Sequence, residues 1–87
     1  MGKDITVKER YIIHDIYLDM LDLYFEGNLP ADPEHPRSMA RFEKKVNPFN
    51  PFAAWRLLAN EATEKLGREI TSVQAEKAVF DVGDINF

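Results

Sequence analysis

The chain has no cysteine, only four glycines in 87 residues, no excess of basic charge and no long uninterrupted apolar run. Each absence closes off a class of protein. Without Cys there is neither a disulfide framework nor a thiolate metal site, so a packed core or a partner must supply the stability. Gly2, Gly27, Gly67 and Gly83 are too scattered to form a loop that cradles phosphate. A formal charge of −4 and a pI near 5.1 argue against a protein whose main task is gripping a nucleic-acid backbone. No span approaches the roughly 20 apolar residues of a transmembrane helix. Met1–Arg10 is mostly polar, and residues 12–25 are cut by His14, Asp15, Asp19 and Asp22, which is no signal-peptide pattern. The expectation is a soluble cytoplasmic protein with no membrane association.

What is present is apolar. The hydrophobic share is 45% and the aromatic share 11%, far above a disordered chain, and the length suits one compact domain. Charge is uneven along it. Residues 1–26 hold three basic and six acidic side chains, and residues 49–87 hold four and six. Residues 27–48, with four basic and three acidic, are the one net basic segment, through Arg37, Arg41, Lys44 and Lys45.

Thr6-Val7-Lys8-Glu9 has the spacing of a capping box and predicts a helix over residues 7–26, closed by Gly27-Asn28. At 100° per residue, Asp15, Asp19, Asp22 and Glu26 fall in one narrow stripe. Ile12, Ile13, Ile16, Tyr17, Met20, Leu21, Leu23 and Tyr24 cover well over half of the circumference, interrupted mainly by Arg10 and His14. An ordinary surface helix needs an apolar arc of only about 100°. This helix must therefore be wrapped by the rest of the chain or shared with a second copy or a partner.

Pro30, Pro33 and Pro36 predict a stiff connection over 28–37. Ser38 then caps a helix over 38–46 with Met39, Phe42 and Val46 in one row. Asn50 with Pro51 reads as a cap and first-turn proline for a helix over 51–66, ended by Gly67. Its core stripe is Phe52, Trp55, Leu58, Ala59, Ala62 and Leu66, with Leu57 on the opposite side among polar neighbours. Thr71 and Gln74 again have capping-box spacing, predicting a helix over 72–80. Either Val73, Lys77 and Phe80 or Ala75, Ala78 and Val79 are its buried row. Residues 81–87 read as an irregular tail, with Gly83-Asp84 as a weak hairpin alternative. The fold class is all-α, a bundle of three to four helices with a proline-rich connecting loop.

Catalytic signatures do not accumulate. The carboxylates of the acidic row line up along a helix and do not converge as calcium ligands do. His14 and His35 lack a His-Glu-x-x-His pattern, and Ser38 and Ser72 sit at caps and not in a nucleophile elbow. The expectation is a non-enzymatic protein without cofactor or metal. Asn47-Pro48-Phe49-Asn50-Pro51-Phe52 repeats Asn-Pro-Phe and resembles the peptide ligands of EH domains in eukaryotic membrane traffic. Read structurally, the same repeat is a rigid corner that turns the chain and anchors both phenylalanines in the core.

The function expected from these features is protein interaction, by occupying or bridging a partner surface, with a homodimer as one form. Small bacterial or phage accessory and inhibitor proteins share this size and acidity. The expected partner-facing residues are Tyr17, Leu21, Tyr24 and Phe25, with Asp15, Asp19 and Asp22 beside them steering a basic partner. The alternative is a helix-turn-helix regulator using residues 54–80, turning at Leu66-Gly67. Ile70 and Val73 fit that pattern, Glu76 does not, and only Gln74 and Lys77 are available for DNA contacts.

Overall fold

The computed structural model describes residues 5–33 and 35–81. It is all-α, with helices α1 (Val7–Tyr24), α2 (Pro36–Val46), α3 (Phe52–Leu66) and α4 (Ser72–Asp81) and no strand among the described residues. The expectations for residues 82–87, hairpin or irregular tail, lie outside the described residues. α1 and α3 each pack against the other three helices.

Helix ends follow local chemistry. The Thr6 hydroxyl accepts the Glu9 N–H at 3.1 Å, and the Glu9 carboxylate accepts the Thr6 N–H at 2.9 Å. Thr71 and Gln74 repeat this exchange at 3.1 and 3.0 Å before α4. α1 stops two residues earlier than expected, because Glu26 and Gly27 both take positive φ and turn the chain away. Glu26 therefore leaves the helical acidic stripe. α2 starts two residues earlier than expected. His35 is its cap, Nδ1 accepting the Arg37 N–H at 3.1 Å, and Pro36 takes the first turn, where its missing donor is harmless. Ser38 is thus no cap but lies inside the helix, its hydroxyl donating to the Asp32 carbonyl at 2.8 Å. α3 begins at Phe52, one residue later than expected, with Pro51 and not Asn50 in the cap position; the Asn50 side-chain oxygen still accepts the Phe52 N–H at 3.2 Å.

The core gathers Ile13, Tyr17 and Leu21 of α1, Met39 and Phe42 of α2, Trp55 and Leu58 of α3, and the row Ala75, Ala78 and Val79 of α4. The other α4 row, Val73 and Phe80, is exposed. Tyr17 is at the centre, edge-on to Phe42 with centroids 5.2 Å apart and stacked on Trp55 at 6.1 Å. Its hydroxyl would be an orphan there, but donates to the Pro33 carbonyl at 2.8 Å. The proline-rich connection thereby covers one flank of α1, as the wide apolar arc requires.

One ion pair ties the start of α1 to the α3–α4 turn. Arg68 donates to Glu9 through Nε at 2.7 Å and Nη2 at 2.8 Å, a bidentate contact across 59 residues of chain. The Arg68 hydrogen bond, seconded by the Thr6 N–H, holds the Glu9 carboxyl down at about 2. In the same turn, the Thr63 hydroxyl accepts the Ile70 N–H and donates to the Ile70 carbonyl.

Candidate functional site

The expected partner-facing residues divide sharply. Tyr17 and Leu21 are fully buried and Phe25 nearly so, which removes all three from the accessible surface. The reason is tertiary: the connection and α2 close over that side, and the Arg41 guanidinium lies 5.2 Å over the Phe25 ring. Tyr24 is half-buried, edge-on to Phe42. Asp15, Asp19 and Asp22 are exposed, as a solvated acidic stripe requires.

The other flank of α1 is open. Between α1 and α3 lies a groove of about 490 Å³. Its deeper lining is Ile16, Met20 and Tyr24, and its lips carry Leu23, 75% exposed, and Leu57, 40% exposed. Leu57 is the residue that helical geometry sets apart from the α3 core stripe. Asp19 of α1 and Glu61 and Glu64 of α3 line the same groove, against one cation, Lys65. Leu57, Glu61 and Glu64 share a face at i, i+4 and i+7, so this lip is continuous along two turns of α3. Leu23, Leu57 and these two glutamates replace the buried Tyr17, Leu21 and Phe25 as the candidate contact residues. Their sequence signal was present in Leu57 among polar neighbours, but no local rule pairs it with Leu23 across the groove.

Other candidate groups are held in structural contacts. His35 caps α2, and the His14 ring lies 6.2 Å from that of Tyr17. Among the described residues, no group of three or more His, Asp or Glu side chains is arranged to hold a metal ion. On α4, Gln74 closes the capping box, which leaves Lys77 as the sole cation that helix offers to a DNA phosphate. Glu43 of α2 is partly buried near Glu76 of α4, and burial first, then the neighbouring negative charge, raises its carboxyl above the usual range.

The Asn-Pro-Phe corner departs most from expectation. Phe49 is 95% exposed and Phe52 44% exposed, so neither is a core anchor. The α3 core begins at Ala54 and Trp55 instead, because α3 starts at Phe52 with that side chain on its outer face. No helix among the described residues is long and apolar enough to cross a membrane. No protein-family model, curated protein or solved structure matches the chain.

Proposed function

We propose that the protein is a small interaction module that docks a basic, amphipathic helical segment of a partner protein in the α1–α3 groove. The observation that carries this reading is the composition of the groove: leucines on both lips, an apolar lining, and three carboxylates against one ammonium. An amphipathic helix lays its apolar face into such a groove through residues spaced i, i+3, i+4 and i+7. Lysines or arginines flanking that face would meet Asp19, Glu61 and Glu64, with the stripe of Asp15 and Asp22 extending the attraction.

Titration with a synthetic helix of leucines at i, i+3, i+4 and i+7 and lysines elsewhere tests the proposal. Saturable binding that weakens with added salt is expected, and Leu23→Glu combined with Leu57→Glu should abolish it. Equal binding by the same helix with glutamates in place of lysines, or no saturable binding at all, would overturn it. A second copy of the chain is the rival occupant. Self-association that rises with concentration and blocks the peptide would assign the groove to a homodimer instead.

A further inference from the structure

Phe49 holds an entire phenyl ring in water, and backbone geometry keeps it there. The Asn47 side-chain oxygen accepts the N–H groups of Phe49 at 2.9 Å and Asn50 at 3.2 Å, and the Asn47 carbonyl also accepts the Asn50 N–H at 3.3 Å. The Asn50 side-chain oxygen accepts the Phe52 N–H. Pro48 and Pro51 restrict the same short stretch. The tip is a rigid turn that projects its ring away from the protein's own apolar surface.

The stretch of sequence that contains this tip differs in sign from the rest of the chain. Lys44 and Lys45 sit exposed in the last turn of α2, and Arg37 and Arg41 are exposed earlier on that helix, Arg41 and Lys45 while also lying over the Phe25 ring. Arg56 follows Phe52 by one turn on the same face of α3. Residues 37–56 thus contain five cations and one acid, a net charge of +4 in a chain of net charge −4, so the remaining residues carry −8. Exposed aromatic rings beside lysine and arginine are what a bilayer interface retains: the ring enters the headgroup boundary and the cations meet anionic lipid.

We infer that this corner is a contact for an anionic membrane surface, with the Phe49 ring inserted, Phe52 beside it, and the cations of residues 37–56 against the lipid headgroups. A protein pocket could also receive an exposed ring. Lipid is favoured because the phenyl ring is almost fully exposed and the exposed cations of the segment are spread over α2 and α3, an arrangement that meets a continuous anionic surface better than a single acidic group. A single ring within diffuse positive charge needs no matching donor or acceptor. Attachment of this kind requires no spanning helix.

Flotation with phosphatidylcholine vesicles, and with vesicles in which roughly one-third of the lipid is phosphatidylserine, tests the assignment. The protein should float with the anionic vesicles only, and less as salt rises. Phe49→Ala should lower partitioning about tenfold, and Lys44→Glu with Lys45→Glu should lower it further, each cation near the surface contributing about fivefold. Phe49→Trp should add an emission component that shifts blue on the anionic vesicles, separable from the buried Trp55. No flotation with anionic vesicles, or unchanged flotation of Phe49→Ala, overturns the inference. Phe49→Ala should still bind the basic helix in the α1–α3 groove, so failure here and failure of the groove reading are separate results.

Discussion

The two flanks of α1 carry similar apolar residues and meet different fates. On one, Ile13, Tyr17 and Leu21 vanish under α2, α3, α4 and the proline-rich connection. On the other, Met20 and Leu23 face a groove whose far lip is Leu57. The difference lies in what accompanies the apolar side chains. The covered flank meets aromatic rings and a carbonyl placed for the Tyr17 hydroxyl, whereas the open flank meets Asp19, Glu61 and Glu64, whose carboxylates are costly to bury unpaired. A wide apolar arc on a helix therefore does not by itself mark a binding face. The part of it bordered by charge on a neighbouring helix is the part left open.

The contrast yields a series of expected effects. Phe42→Ala, on the covered flank, should cost about 3–5 kcal/mol, enough to unfold much of a domain of ordinary stability. Thermal unfolding followed by circular dichroism measures it, and a loss below about 1 kcal/mol would mean that this flank is less tightly packed than its burial shows. Tyr17→Phe keeps the ring but leaves the Pro33 carbonyl without its donor. It should cost about 1 kcal/mol, or roughly 4–8 °C in Tm for a chain of this size. At the edge of the same flank, Glu9→Gln removes the charge that Arg68 grips. The folded carboxyl is depressed to about 2 from an ordinary 4.5, so its stabilisation is complete above pH 4.5 and disappears as pH falls toward 2. Glu9→Gln should flatten the acid limb of a stability-against-pH curve over that window, with a smaller effect at neutral pH than Tyr17→Phe because a partly solvated pair is screened. Smallest of all, Leu23→Gln with Leu57→Gln should leave stability within about 0.5 kcal/mol. A large loss on chemical denaturation would show that the groove is part of the core, erasing the distinction between the flanks.

Short-range chemistry was legible in the residues. Thr6 with Glu9, Thr71 with Gln74, and Asn50 before Pro51 each satisfy backbone donors within three positions, so neighbours suffice to read them. His35 takes the cap expected of Ser38 because both can accept a backbone N–H, and the choice fell to the residue whose cap leaves Pro36 in the first turn. Leu57 was legible as an outlier on its helix, and the acidic stripe as exposed, since both depend only on helical periodicity. The Arg68–Glu9 contact, the pairing of Leu23 with Leu57, and the exposure of Phe49 were not. Each depends on where a distant element lies or on which way a turn faces.

The sequence alone determined that the fold is all-α with three to four helices, where α1 and α4 begin, and that α1 has more apolar surface than one neighbour could cover, because capping, proline geometry and periodicity act over a few residues. Tertiary structure decided which part of that surface is covered. It closed α2 and the proline-rich connection over Tyr17 and Phe25, left the α1–α3 groove open beside its carboxylates, and set the Asn-Pro-Phe corner outward. Burial is a property of the assembled helices, in which each side chain's share of the core depends on which partners reach it first, and periodicity can rank candidates without choosing among them.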